Sequence, residues 1–268
     1  MLKRLLSRRA KAPRRKIIFI GDSNVLQLRL ALKTMPDAID LDGIGELDFI
    51  FLGPATDLYA KFFSVAENGL RLEMEATRAR LKDRLTADGT LPIEPDALYV
   101  ASVATHTQSL LRGASWTQAA PWWTNPEPPR PPMSRAVFNR CILRPNRFSF
   151  QFLSALKDLA GERCFVLDAP PVTRRYELFD LGYTAEDVKR LDADCRKAIR
   201  RRIAKIGLPI IGNPPGTLDD GFMKDQFLMP DERDRHHGNL DFSALVLSRL
   251  FDKERRGALL ADGAPRET

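Results

Sequence analysis

Residues 16–24 have the sequence Lys-Ile-Ile-Phe-Ile-Gly-Asp-Ser-Asn, an apolar run followed by a short polar turn. The apolar run Ile17–Ile20, which is β-branched except for Phe19, is bounded by a glycine, and this predicts a short buried strand. Gly21 allows a sharp turn and so places Ser23 at the end of the strand, where a helix begins. This exposes the hydroxyl and directs the backbone N–H groups of the turn toward the group that the oxygen attacks. Because serine alone is a poor nucleophile, a base must come from elsewhere in the chain.

Predicted strands and helices alternate along the chain. The strands cover Lys16–Ile20, Leu47–Leu52, Ala97–Val103, Cys164–Leu167 and Leu208–Ile211. The helices cover Asn24–Met35, Glu67–Leu85, Phe148–Leu159, Ala185–Ile206 and Leu240–Phe251. Thr184 and Asp187 predict a capping box at the start of the fourth helix, and Gly207 predicts its end. The alternation predicts an α/β fold with a central parallel sheet of about five strands and helices on both faces.

Basic residues are concentrated at the N-terminus. Residues 1–16 contain eight Lys/Arg and no acidic residue, and the rest of the chain contains 34 Lys/Arg and 35 Asp/Glu. A nucleic-acid enzyme usually carries its basic surface on the fold, so we predict no specific nucleic-acid partner. The predicted organisation is a disordered tail over 1–15, one domain over 16–252 and a disordered tail over 253–268. The basic tail also fits weak contact with an anionic membrane surface, or an organelle-targeting segment.

Cysteine usage and hydropathy favour a cytoplasmic protein. The three cysteines form no CxxC pair, and so indicate neither a disulfide framework nor a zinc site. The sequence has no secretory apolar segment and no apolar stretch of about 18 residues. A reducing cytoplasm is the simplest compartment that fits this pattern. We expect no metal and no other cofactor.

Residues 114–135 interrupt the alternation with six prolines and with all three tryptophans of the chain, Trp116, Trp122 and Trp123. The prolines exclude a long helix or a central strand. Long loops in compact domains are usually functional or disordered. The tryptophans therefore either form a lid or stacking wall for a sugar or acyl group, or fasten the loop onto the body.

A candidate base lies shortly before the last predicted helix, where two of the three histidines follow Asp234. Asp234 and His237 are three residues apart, so on one turn their side chains face the same way. The carboxylate can then hold one imidazole nitrogen while the other acts as a base. His236 is only two residues from Asp234 and is predicted to face elsewhere. The alternative is a charged surface turn without a catalytic role.

Two motifs, in this order along the chain, resemble those of the SGNH (GDSL-type) hydrolase superfamily: Gly21-Asp22-Ser23 and Asp234-x-x-His237-x-Asn239. The proline pair after the fourth predicted strand and the approach to the C-terminal motif are also similar to that family. The resemblance covers about residues 16–252. It implies a three-layer α/β/α flavodoxin-like sandwich, with Ser23 as nucleophile, His237 as general base and Asp234 as the acid that orients it.

The same resemblance implies an oxyanion hole with three donors. They are the N–H of the nucleophile, a glycine N–H after the second strand and an asparagine side chain after the third. Ser23 and Gly53 occupy the first two places, although Gly53 also fits an ordinary turn. The chain departs from the family at the third place, where the asparagine's position falls at Thr105 or His106. Either side chain can donate a hydrogen bond.

The activity implied by the resemblance is hydrolysis of a carboxylic ester through an acyl-enzyme. The expected substrates are small molecules or glycans that carry O-acetyl or other small acyl groups, and lipid esters. One alternative is an acyltransferase that passes the acyl group to a glycan precursor, which requires a site that excludes water. Another is a binding protein that keeps the fold with a weakened site.

Overall fold

The computed structural model describes residues 15–41, 44–107 and 115–252. Its helices are α1 (Ser23–Thr34), α2 (Glu75–Arg80), α3 (Ser115–Gln118), α4 (Arg135–Leu143), α5 (Arg147–Ala160), α6 (Glu177–Asp180), α7 (Ala185–Ile206) and α8 (Leu240–Leu250). Its strands are β1 (Arg15–Gly21), β2 (Ile44–Phe51), β3 (Phe63–Ala66), β4 (Gly69–Leu72), β5 (Thr90–Pro92), β6 (Leu98–Ser102), β7 (Ala120–Pro121), β8 (Pro132–Met133), β9 (Cys164–Leu167), β10 (Ile210–Ile211), β11 (Leu218–Asp219) and β12 (Phe222–Met223). The predictions of disorder and of membrane contact concern the two tails, residues 1–15 and 253–268. Apart from Arg15, these residues lie outside the described ranges, so both stay predictions.

Five parallel strands form the central sheet in the order β2-β1-β6-β9-β10. Strand β1 lies between β2 and β6, with Phe19 opposite Phe49 on one side and Val100 on the other. This confirms the predicted α/β fold and its parallel sheet. The strand order reverses direction between β1 and β6. Sheets of this kind bind ligands at the carboxyl ends of the strands beside such a reversal, which is where Ser23 lies.

The apolar run of β1 is buried on both faces of the sheet. Ile18 and Ile20 belong to a core that also contains residues of α5 and α7. Ile17 and Phe19 belong to a second core, shared with α1 and α8. All four side chains are at most 2% exposed. Since burial of such a side chain contributes about 1.5–3 kcal/mol, this one strand stabilises both helix layers.

Residues 63–92 differ from the predicted helix over 67–85. They form the antiparallel sheet β3-β4-β5 and only the short helix α2. The chain turns at Glu67 and Asn68, because Ala66 pairs with Gly69. Gly69 lies in β4 so close to β5 that a Cβ there would be 2.2 Å from the Leu91 carbonyl oxygen. This close packing of two strands favours glycine, and it outweighs the helical spacing of apolar residues.

The local helix signals around α7 are confirmed. The Thr184 hydroxyl accepts the Asp187 backbone N–H, and the Asp187 carboxylate accepts the Thr184 N–H in return. Gly207 ends the helix in the left-handed region, with φ of 81°. No helix within the described residues combines the length and the hydropathy needed to cross a membrane.

Candidate active site

The turn that carries Ser23 lies where β1 ends and α1 begins. The Asp22 carboxylate caps α1 by accepting the Asn24 N–H at 3.0 Å, and the Asp22 N–H donates to the Ser102 carbonyl at 3.0 Å. Gly21 is required here because a Cβ at this position would lie 2.1 Å from the Ser102 oxygen. The close approach of β1 and β6 therefore holds Ser23 at the point where the strand order reverses.

The structure brings Ser23, His237 and Asp234 into one hydrogen-bonded row. The Ser23 hydroxyl lies 2.7 Å from His237 Nε2, and His237 Nδ1 lies 2.8 Å from Asp234 Oδ2. Both distances are those of well-formed hydrogen bonds. The His237 side chain is only 11% exposed, so most of the row is shielded from water. This is the geometry that a serine nucleophile, a base and an orienting carboxylate require.

The Asp234 carboxylate is fixed by its own turn. Besides His237 Nδ1, it accepts the backbone N–H groups of His236 and His237 at 3.3 and 3.1 Å. Burial alone would raise the pKa of this carboxyl. The hydrogen bonds and charge of His237 outweigh burial, and the pKa lies well below its usual value. In the neutral form of the imidazole, an ionised Asp234 favours the tautomer with the proton on Nδ1, which leaves Nε2 able to accept the serine proton.

A contact with a neighbouring segment holds this histidine loop in place. The Thr173 hydroxyl donates to the Arg235 carbonyl at 2.9 Å, and Thr173 is 1% exposed. Thr173 follows the proline pair after β9, so this segment anchors the loop to the end of the sheet. The segment that follows the proline pair therefore contacts the loop that carries His237.

The segment after β6 favours His106 over Thr105 as the third oxyanion donor. The Thr105 hydroxyl donates its only hydrogen to a β9 carbonyl at 3.1 Å. His106 is 5% exposed, and its ring centroid lies 6.1 Å from that of His237. The Thr107 hydroxyl donates to Asp192 at 2.5 Å. His106 is therefore held between two buried anchors and faces the candidate base.

Two backbone positions beside the site have positive φ angles. Ala104 has φ of 67°, a left-handed conformation that costs a non-glycine residue about 1–2 kcal/mol. Gly53, after β2, has φ of 148°, a region that essentially only glycine adopts. The glycine at position 53 is therefore explained by its backbone, which fits both a simple turn and the expected oxyanion N–H.

Asp22 has a property that its sequence position did not reveal. The residue is 1% exposed, and burial raises the pKa of its carboxyl to about 6, against the lowering effect of hydrogen bonds and of the charge of His237. The pKa of Asp22 thus lies near neutral pH, and the residue directly precedes the candidate nucleophile Ser23. Sequence reasoning treated Asp22 only as part of a motif, because burial depends on how β1 and β6 pack.

All three histidines of the chain meet at this site. The His236 ring centroid lies 4.1 Å from that of His237 and 5.2 Å from that of His106. The expectation that His236 faces elsewhere is wrong, since the Asp234 turn is irregular rather than helical and His236 Nδ1 lies 3.5 Å from Asp234. One ligand nitrogen from each ring lies within 4.8 Å of the others. With small movements this set can hold zinc, whose ligands include neutral imidazoles.

The three tryptophans take two different environments. Trp116 and Trp123 are 1% and 8% exposed and pack edge-on against Phe138 of α4, with ring centroids 5.5 and 5.2 Å away. Their burial favours the alternative in which they fasten the loop to the body. Trp122 is 66% exposed. The segment that contains Trp122 and Trp123 contacts the first turns of α7, because Arg190 of that helix donates to the Trp123 carbonyl at 3.3 Å. Helix α7 begins at the carboxyl edge of the sheet, the edge that carries Ser23.

Comparison with known proteins finds similarity only among solved structures. No family model matches the sequence, and no curated protein matches it. A GDSL-like lipase from Bacteroides thetaiotaomicron has 12% identity and a TM-score of 0.40, over 90% of this chain and 89% of that chain. A carbohydrate acetylesterase from Sinorhizobium meliloti has 12% identity and a TM-score of 0.41, over 90% and 98%. An aryl esterase from M. smegmatis has 11% identity and a TM-score of 0.38, over 90% and 99%. Likenesses this distant carry no conclusion about activity.

Proposed function

We propose that this chain is a serine esterase of the SGNH type. The observation that carries the proposal is the row of two hydrogen bonds, 2.7 Å from Ser23 to His237 and 2.8 Å from His237 to Asp234. Its three members are those of the motifs that resemble the superfamily, and they meet at the sheet edge where α/β proteins of this topology bind ligands. Chemistry and location therefore support the same function.

In the first step of the proposed reaction, Ser23 Oγ attacks the ester carbonyl carbon while His237 Nε2 takes the hydroxyl proton. Asp234 stabilises the resulting imidazolium through Nδ1. The tetrahedral intermediate collapses, the bond from carbon to the alcohol oxygen breaks, and His237 returns the proton to the departing alcohol. The product of this step is an acyl group on Ser23.

The second step regenerates the enzyme. A water molecule gives its proton to His237, its oxygen attacks the acyl carbon, and the carboxylic acid leaves as the proton returns to Ser23 Oγ. In both steps, the negatively charged carbonyl oxygen of the proposed intermediate accepts hydrogen bonds from the N–H groups of Ser23 and Gly53 and from the His106 side chain. Burial of His106 strengthens such a hydrogen bond, because the local dielectric constant is lower than in water.

We propose small acyl groups, such as acetyl, on a carbohydrate or a lipid alcohol as the substrate class. The exposed Trp122 offers an aromatic face on which a sugar ring can stack. Mutation of Trp122 to alanine should raise KM for an acetylated sugar and leave that for a chromogenic acetyl ester unchanged. An equal change for both substrates would exclude a sugar-specific contact.

The experiment that tests the proposal is hydrolysis of a chromogenic acetyl ester by the wild-type protein and by Ser23→Ala. Loss of one member of such a triad reduces turnover by about 10⁴–10⁶. A matched control is Ser64→Ala, which changes a serine of β3 that lies outside the site. Equal turnover in the wild type and in Ser23→Ala would refute the proposal. Products measured in the presence of sugar acceptors separate hydrolysis from transfer, since a transferase yields the acylated sugar.

A further inference from the structure

A groove with strongly positive walls lies between α7 and the pair α4 and α5. It encloses a cavity of about 870 Å³. Eight basic side chains line it, together with the single acid Asp194. These basic residues are Arg135, Arg140, Arg144, Arg147, Lys197, Arg201, Arg202 and Lys205. We call this cavity the basic groove, and none of its lining residues belongs to the candidate active site.

The charge of the basic groove is almost entirely unneutralised. Arg135 pairs with Asp194 at 2.6 Å, which neutralises its charge. Its guanidinium group also lies 3.5 Å from the centre of the Trp123 ring. The other seven basic residues form no ion pair with any carboxylate in the described part of the chain. Within the described ranges, seven cations around one cavity therefore have no ion-pair partner.

Two other arginines of the same helix, Arg196 and Arg200, are paired with acids, although the neighbouring cavity that they line also contains Lys197 and Arg201. Arg196 lies 2.7 Å from Asp192 and 3.1 Å from Asp168, and Arg200 lies 2.5 Å from Asp168. These arginines are neutralised, and they also brace the segment that positions Thr107 through Asp192. Helix α7 therefore pairs Arg196 and Arg200 with buried acids, whereas Lys197, Arg201, Arg202 and Lys205 form no ion pair with a described carboxylate.

The spacing of the unpaired cations works against the stability of the free protein. Lys197, Arg201 and Lys205 follow one another at four-residue intervals on α7, and Arg140 and Arg144 do so at the end of α4. Like charges at this spacing repel each other on a helix. The helix dipole compensates only the basic residues of the last turns, which are Lys205 in α7 and Arg140 in α4. A bound anion would relieve the repulsion that remains.

We propose that the basic groove binds a ligand with two or more phosphate groups. Guanidinium groups donate paired hydrogen bonds to phosphate oxygens, and seven cations on two walls suit several anionic groups better than one. The cavity volume lies within the range of small-molecule sites. The phosphates can belong to a soluble metabolite or to a lipid headgroup, since the chemistry of recognition is the same.

A nucleic acid is less well matched to the basic groove. Single strands bind along grooves in which aromatic side chains stack on the bases. The aromatic residue in this lining, Phe150, is only 4% exposed and offers no stacking face. The rest of the body carries no net basic excess. A phosphorylated small molecule or headgroup is therefore the better match.

The test is calorimetric titration of the full chain with inorganic tripolyphosphate at physiological ionic strength. We expect saturable binding of one ion, weakened about 100-fold in the double variant Lys197→Gln/Arg201→Gln, because each lost charged hydrogen bond weakens binding about tenfold. The matched control is Arg29→Gln/Lys33→Gln. It removes two exposed cations at the same spacing on α1, which packs on the opposite face of the sheet, and should leave binding unchanged.

Vesicles of phosphatidylcholine with and without cardiolipin identify the source of the phosphates. Sedimentation with cardiolipin vesicles that tripolyphosphate prevents, and that the α7 double variant loses, supports a lipid headgroup. Tripolyphosphate binding without vesicle binding supports a soluble ligand. The proposal is overturned if tripolyphosphate does not bind saturably, or if the control weakens binding as much as the α7 variant. It is also overturned if a single-stranded oligonucleotide binds but tripolyphosphate does not displace it.

Discussion

Asp22→Asn should stabilise this protein at alkaline pH and have almost no effect on stability at acidic pH. Asp22 is completely buried, and the pKa of its carboxyl is raised from about 3.8 to about 6 by burial. Above pH 6 the folded protein must therefore hold a buried negative charge. Asparagine removes that charge and keeps the cap of α1, because Asn and Asp are equally good residues at a helix N-cap.

The expected size follows from the difference between the two pKa values. One pKa unit corresponds to about 1.4 kcal/mol, so ionisation of Asp22 lowers the free energy of unfolding by about 3 kcal/mol above pH 6. The sign follows from the proton balance. Between pH 4 and 6 the folded state retains a proton that the unfolded chain releases, so this group makes the wild type less stable as the pH rises.

Urea denaturation of both proteins at pH 4 and at pH 8 measures the effect. We expect Asp22→Asn to be about 2–3 kcal/mol more stable than the wild type at pH 8, and within about 0.5 kcal/mol of it at pH 4. The contributions of other acids, Asp234 included, cancel in the comparison at each pH. An equal difference at both pH values, or a variant that is less stable at pH 8, would refute the assigned burial and charge of Asp22.

Three further predictions concern the site and its frame. His106→Ala should lower kcat for an acetyl ester by about 10²–10³ with little change in KM, and His106→Asn should restore part of it; an unchanged kcat would remove His106 from the oxyanion hole. Zinc should inhibit hydrolysis reversibly by occupying His237 Nε2, and His236→Asn should weaken this inhibition about tenfold or more while it retains the metal-free rate; equal inhibition of both proteins would exclude the three-histidine site. Gly21→Ala should unfold the protein or lower its free energy of unfolding by about 3 kcal/mol or more, since its Cβ meets the Ser102 carbonyl; a normal urea midpoint would contradict this packing.

The parts of the fold that the sequence predicted are those with strong local signals. Strand β1 was predictable because its apolar run is continuous, and α7 because its capping box and terminal glycine mark both ends. The helix expected over 67–85 is wrong because the chain turns at Glu67 and Asn68 into a β-hairpin, and the pairing of β4 with β3 and β5 outweighs a plausible helical spacing. The pairing order of the strands depends on contacts between distant segments, which one sequence does not contain.

The residues of the candidate site fall into the same two groups: those with a local sequence signal were predictable, and those whose placement depends on packing were not. The hydrogen-bonded arrangement of Ser23, Asp234 and His237 was predictable because the motifs carry these residues and because three-residue spacing brings an acid to a histidine, while their catalytic roles stay predictions. The position of His236 was not, since it depends on an irregular turn. The preference for His106 over Thr105 as the proposed oxyanion donor depends on the contact of Thr105 with a β9 carbonyl, which the sequence does not reveal. The burial of Asp22 and the pairing of cations around α7 likewise arise only when helices and strands pack.

Labelling with a fluorophosphonate probe tests the central claim most directly, because the probe reacts with a serine hydroxyl that a neighbouring base has activated. The proposed row of Ser23, His237 and Asp234 predicts a single modification, found by peptide mass analysis on Ser23. It also predicts that labelling is lost in His237→Ala and strongly slowed in Asp234→Asn. A protein that is not labelled, or that is labelled equally fast without His237, would contradict the claim that Ser23 is an activated nucleophile.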